Sequence, residues 1–168
     1  MDTFFEQIIS IKPSSSKKAL CALIIILAAA ITVFAVIGAL AMFQFMFLFV
    51  LVIIGVWFGA IRLIGNFRIE YEYIITNGDL DIDVIIDKSR RKRIASIKCG
   101  EIESIKRYSF ADNSSKAIIC CNEQDEAYMI TARDANRGML KLVIAPDERI
   151  KSGIVKFLPR IIAKDAFI

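Results

Sequence analysis

The side chains that most often do chemistry in a protein are sparse in this sequence. Its 168 residues include no histidine, so the commonest general base and the commonest metal ligand are both missing. The four cysteines, Cys21, Cys99, Cys120 and Cys121, lack metal-ligand spacing and read as reduced, structural thiols. Asp79, Asp81 and Asp83 alternate along one segment. Alternation spreads carboxylates in a line, whereas a calcium ion needs about 6–8 oxygens around one point. No phosphate-binding glycine loop, nucleophile elbow or paired metal motif occurs. The expectation is therefore a protein without catalytic residues, metal site or cofactor. The densest charge is the cluster Lys88, Arg90, Arg91, Lys92 and Arg93. It has two readings: a patch that binds the headgroups of an anionic membrane surface, at about 1 kcal/mol per residue, or a solvated loop that neutralises nearby acids. Lys and Arg number 22 against 18 Asp and Glu, a net charge of +4. That is too mild for nucleic acid, and no aromatic-basic interleaving accompanies it.

The elements that must position these groups begin with a membrane segment. Mean hydropathy is +0.55, and the apolar residues are concentrated: Ala19 through Ile61 contains no Asp, Glu, Lys or Arg. As one helix this run would extend about 65 Å at 1.5 Å per residue, roughly twice the bilayer's hydrocarbon core of about 30 Å. It must fold back once, near Met42 to Phe45, where Gln44 is the one strongly polar residue. The expected organisation is an N-terminal segment 1–18, two transmembrane helices at about 19–41 and 45–64, and a soluble domain over 65–168. Lys12, Lys17 and Lys18 precede the hairpin and Arg62 and Arg68 end it, which sets both termini in the cytoplasm of a multi-pass protein of the cell membrane. A cleaved signal peptide fits poorly, because the apolar run continues past Ala39-Leu40-Ala41. Arg62 snorkels to the interface. Gly55 and Gly59 form a Gly-x-x-x-Gly pair that admits a closely packed helix. The first span, through Ala28, Ala35 and Ala39, is preferred as its partner over a second copy of the chain. Phe4, Phe5, Ile8 and Ile9 share one face of a short helix that would lie in the membrane interface; a frayed terminus is the alternative.

After the hairpin the apolar period changes to two. Asn77-Gly78 suits a two-residue type I′ turn. Pairing outward from it sets Ile75 opposite Leu80, Tyr73 opposite Ile82, Tyr71 opposite Val84 and Ile69 opposite Ile86, making one face apolar. Glu70, Glu72, Asp79, Asp81 and Asp83 form the other, solvent-facing side. Further strands are expected at about Arg91 to Lys98, Ile102 to Ser109, Lys116 to Cys121, Glu126 to Ala132 and Met139 to Ala145, for seven in all. Turn-prone Asn113-Ser114-Ser115, Asn122 to Asp125 and Asn136-Arg137-Gly138 separate them. The spacing of Ile102 and Ile105 also suits a helical turn. Asp147 can cap a helix through Ile150, Ile154, Phe157 and Ile161, which Pro159 ends or kinks. A curved antiparallel sheet needs such a cover.

This order resembles the pleckstrin-homology (PH) fold. The runs YEYIITNGDLDIDVII, IASIKCGEIESIKRY and APDERIKSGIVKFLP resemble bacterial PH-like domains that follow a transmembrane hairpin in uncharacterised membrane-protein families. The resemblance implies an α+β membrane protein, a two-helix hairpin plus a mostly antiparallel PH-like β domain with a C-terminal capping helix. It supports fold more than function. Phosphoinositide-binding members of the wider fold use a long basic loop between the first two strands. Here that connection reads as the acid-flanked turn at Asn77-Gly78, so no such site carries over. The expected role is a membrane-anchored, non-enzymatic cytoplasmic interaction or scaffolding module. Its partners would be the lipid bilayer and a protein partner or a second copy of the chain. The alternative is an accessory or regulatory subunit of a transporter or channel assembly.

Overall fold

A computed structural model of the chain describes residues 3–110, 117–134 and 138–167. The Asn77-Gly78 turn organises the first sheet. Both residues adopt positive φ, 51° and 94°, as a type I′ turn requires. Strands β2 (Ile69–Thr76) and β3 (Asp79–Ile86) leave it in the expected register, Ile75 with Leu80 through Ile69 with Ile86. β4 (Arg90–Lys98) pairs antiparallel with β3.

The N-terminal segment corrects one expectation. Phe4–Ser10 is not an interfacial helix but a strand, β1, paired antiparallel along β2 from Phe4 with Thr76 to Ser10 with Glu70. Phe5 and Ile9 turn inward and join the core, while Phe4, Glu6 and Ile8 are exposed. Residues four apart share a face in a helix and in a strand alike, so the apolar pattern alone permitted both. By its contacts the chain divides into two units, Met1–Ile11 with Ile69–Ile168, and Lys12–Arg68. The β domain therefore begins before the two apolar helices, and the helical hairpin is an insertion between its first two strands.

The second sheet has the order β5-β7-β8-β6, from β5 (Ile102–Arg107), β6 (Ile118–Ile119), β7 (Tyr128–Asp134) and β8 (Gly138–Ile144). Eight strands are thus described rather than seven, and the short β6 runs parallel to β8. A register shift between Ile102 and Ser104 explains the three-residue spacing of Ile102 and Ile105: the added residue puts both on the buried face. The turns expected at Asn113-Ser114-Ser115 and Asn136-Arg137 lie outside the described residues.

Helix α3 (Glu148–Phe157) closes the sandwich. Asp147 caps it, accepting from the Ile150 N–H at 2.8 Å, which satisfies one of the donors a helix start leaves open. Ile150 and Ile154 are fully buried against Tyr73, Ile75, Leu80, Ile130 and Leu142. Gly153 permits the close approach: a Cβ there would stand 2.9 Å from the Phe5 ring and 3.0 Å from Ile75 Cδ1. Pro159 ends the helix, and Ile161, on the short α4 (Arg160–Ala163), is 86% exposed rather than part of the apolar stripe.

In the second unit, α1 (Ser15–Ala41) and α2 (Met46–Gly65) are joined through Met42 and a 3₁₀ turn at Phe43–Phe45. Both are long and apolar enough to cross a membrane, about 40 Å and 30 Å at 1.5 Å per residue. They pack through buried Ala28, Ala35 and Ala60. Trp57 Nε1 donates to Thr32 Oγ1 at 3.1 Å.

Candidate functional site

The outer face of the first sheet carries the charged residues that the sequence singled out, and a bulge decides their arrangement. Ile82 pairs with Ala95 but Asp83 pairs with Arg93, so Ile94 is an added residue in β4. Strict alternation would have put Arg91 and Arg93 on the face of Ala95 and Ile97, in the core. The added residue reverses the sidedness of everything beyond it and turns both guanidinium groups onto the acidic face. Arg93 Nε donates to Asp83 Oδ1 at 3.0 Å, and its Nη1 lies 3.0 Å from Asp81 Oδ2. Arg91 Nη2 reaches Glu72 at 2.7 Å and 2.8 Å.

These arginines cover the carboxylates. Glu72 and Asp83, expected to face solvent, are only 1% and 4% exposed. A carboxylate taken out of water needs a charged partner, and each has one. Burial and a hydrogen bond with Glu6 push the Glu72 carboxyl above its ordinary value, against the pull of Arg91. The hydrogen bond to Asp83 raises Arg93 further. Arg91 and Arg93 thus neutralise acids.

Lys88, Arg90 and Lys92 are exposed. Lys92 and Arg90 pair with Val84 and Ile86, on the other side of the sheet from Arg91 and Arg93. The turn between β3 and β4 holds Asp87 and Lys88 at φ 52° and 54°. That conformation costs a non-glycine residue about 1–2 kcal/mol, and the Asn77-Gly78 turn avoids much of it. The row across this end of the sheet reads Ile11, Ile69, Ile86, Arg90: Ile11 N–H donates to Ile69 C=O at 2.9 Å, Ile69 pairs with Ile86, and Ile86 with Arg90. The basic turn therefore shares one end of the sheet with both points where the chain leaves for the hairpin and returns from it.

A family model for a bacterial PH-like domain, DUF6106, matches residues 1–164. The chain belongs to this bacterial PH-like family. No curated protein matches it significantly. The match takes in β1, the hairpin and the β domain together. In this PH-like chain the connection between the first and second strands is not Asn77-Gly78, as the count from β2 implied, but the hairpin itself.

Other sequence-marked residues in the PH-like chain divide clearly. A Cβ at Gly55 or Gly59 would meet nothing within 4 Å, so this pair does not pack on the first span. Gly38 makes that approach instead, with its added Cβ only 2.7 Å from Phe49 Cε1. Cys99, Cys120 and Cys121 are buried, which pushes their thiols up to about 11, 12 and 12. They stay protonated and unreactive at neutral pH. Among the described residues no group of His, Cys, Asp and Glu could hold a metal ion. A groove of about 390 Å³ runs between β1 and the segments 122–126 and 145–147. Sequence reasoning missed it because β1 itself was missed. Its fixed point is Gln7, whose Nε2 donates to Ala145 C=O at 3.1 Å and whose Oε1 accepts from Asp147 N–H at 2.8 Å.

Proposed function

We propose that this PH-like chain is a membrane-anchored, non-enzymatic interaction module of the cytoplasmic face. The hairpin crosses the bilayer twice, and the domain turns toward an anionic leaflet the sheet end that bears Lys88, Arg90 and Lys92. The observation that carries this reading is the shared end of the first sheet: the hairpin departs at Ile11, returns at Ile69, and the basic turn follows two strands away. Strands stand about 4.8 Å apart, so that turn lies roughly 10 Å from the tether. Three basic residues near an anionic surface favour the orientation by about 3 kcal/mol, a bias of more than 100-fold.

The test is sided labelling in sealed, right-side-out membrane vesicles with an impermeant maleimide. Buried Cys99, Cys120 and Cys121 keep the background low, and the half-buried Cys21 is replaced by Ser in every variant. A Gln44→Cys chain should label at once, and a Lys88→Cys chain only after the vesicles are opened. Labelling of Lys88→Cys in intact vesicles, or release of the protein by alkaline carbonate, overturns the reading.

The open face at Gly55 and Gly59 favours a second reading, an accessory subunit whose α2 packs on another membrane protein. Gly55→Leu with Gly59→Leu should then dissociate a co-purifying membrane partner and leave the isolated hairpin's stability unchanged. Gly38→Leu should disturb the hairpin itself.

A further inference from the structure

The two rims of the first sheet are built differently. A rim strand presents unpaired backbone donors and acceptors, and proteins ordinarily blunt it with charge, bulges or proline. β4 has such devices, with Arg90 to Arg93 and the added residue at Ile94. β1, Phe-Phe-Glu-Gln-Ile-Ile-Ser, has no lysine, no proline and no register shift over its seven residues. Among the described residues it pairs with β2 alone.

The direction of its backbone groups follows from the ladder. Asn77 N–H donates to Thr3 C=O at 3.0 Å, and Ile11 N–H to Ile69 C=O at 2.9 Å. Hydrogen-bonded pairs alternate in an antiparallel ladder, so the odd residues from Thr3 to Ile11 bond to β2. The N–H and C=O groups of Phe4, Glu6 and Ile8 point away from the sheet. The same residues carry two large apolar side chains, 60% and 53% exposed at Phe4 and Ile8, on either side of one carboxylate.

The space beyond this rim is shaped and acidic. Among the described residues the groove's lining includes Asp125, Glu126 and Asp147 and no Lys or Arg. Glu126 and Asp147 pair with Arg107 and Arg149, whose side chains are 70% and 71% exposed; such pairs are screened by water and readily exchanged. Gln7 ties the rim to the second sheet through its two hydrogen bonds. Asn122 Nδ2 donates to Ser10 C=O at 3.3 Å and closes one end. The strand is therefore held in place before anything binds, which lowers the ordering entropy of association.

We infer that β1 captures a partner protein by strand addition, taking an extended segment with apolar residues against Phe4 and Ile8 and a Lys or Arg against Glu6. Main-chain hydrogen bonds to Phe4, Glu6 and Ile8 supply affinity, and the alternating side chains supply selectivity. A second copy fits less well: antiparallel pairing of two β1 strands that matches Phe4 with Ile8 sets Glu6 against Glu6, where like charges directly opposite are destabilising, and pairing about the central Gln7 sets Glu6 against Ile8 and gives the carboxylate no cation. The inference names the partner chemistry of the module proposed above and rests on that reading for its location.

The experiment uses the full chain in nanodiscs of uncharged lipid, so that a basic peptide has no anionic surface to bind. The probe is a fluorescein-labelled Ser-Val-Thr-Lys-Thr-Ile-Ser peptide, compared with the same peptide carrying Glu in place of Lys. Fluorescence anisotropy should show the Lys peptide binding about tenfold or more tighter, and Glu6→Lys should reverse that preference. At saturation, amide exchange should slow about tenfold at Phe4, Glu6 and Ile8 and not at the inward-bonded Phe5, Gln7 and Ile9. Equal affinity for the two peptides, no reversal in Glu6→Lys, or unchanged exchange at the three outward amides overturns the inference. Flotation of the same protein with liposomes reads membrane anchoring separately. Protein that floats but takes no peptide sinks the strand-addition site alone, and protein that fails to float sinks the anchored-module reading.

Discussion

Phe5→Ala tests whether the chain ahead of the hairpin belongs to the soluble domain. Phe5 is half-buried and packed on the core, with its ring against Gly153 of α3 and beside Ile75. Truncating a fully buried Phe costs about 3–5 kcal/mol through lost transfer energy and the void left behind. For a half-buried ring about 2–3 kcal/mol is the corresponding expectation, a large share of the roughly 5–15 kcal/mol by which domains are stable. With a urea dependence of about 1–3 kcal/mol per molar, the unfolding midpoint should fall by about 1–2 M. The assay uses the domain's own reporters in a Cys21→Ser background: Cys99, Cys120 and Cys121 are buried and label only when it opens, so pulsed alkylation across a urea series reads the domain, and removing the half-buried Cys21 of α1 silences the hairpin. Phe4→Ala is the control, since Phe4 is 60% exposed; a surface change of at most roughly 0.5 kcal/mol should move the midpoint by less than about 0.5 M. If the two substitutions shift the midpoint equally, or neither does, β1 is not part of the folded domain and the argument fails.

Excision follows the same logic. Because Ile11 and Ile69 form a hydrogen-bonded pair, replacing Lys12–Arg68 by Asn-Gly should yield a soluble domain with a cooperative melt, whereas a chain starting at Ile69 should show none. Arg93→Ala leaves Asp83, 4% exposed, without its guanidinium and should destabilise by about 1–2 kcal/mol, discounted from a fully buried pair because Arg93 itself is half-exposed. Lys92→Ala should be silent in the same urea titration. Burial raises the Glu72 carboxyl above 4.5, so the unfolded chain loses that proton first. The stability from this group is present below about pH 4.5 and is lost as pH rises through the folded value. The stability difference between the parent chain and Glu72→Gln, followed by urea midpoints from acid to neutral pH, should therefore decline as pH increases; a flat difference would contradict it.

What sequence alone determined was whatever depends on local period and on special residues. The uncharged run from Ala19 to Ile61 demanded two helices, Asn77-Gly78 set a turn and with it the register of β2 on β3, and Asp147 marked the start of α3. Each signal is carried by neighbours within a few residues. Tertiary structure decided what depends on partners distant along the chain. Phe5 and Ile9 fit a helix or a strand until β2 supplies its edge, and the hairpin between them hides that pairing. The added residue at Ile94 is invisible in a list of residues, yet it moves Arg91 and Arg93 from the core side to the carboxylates of Glu72, Asp81 and Asp83. Sidedness in a sheet reverses with one residue, so a single added residue in β4 separates a basic cluster into two arginines that neutralise buried acids and three exposed cations beside the hairpin's tether.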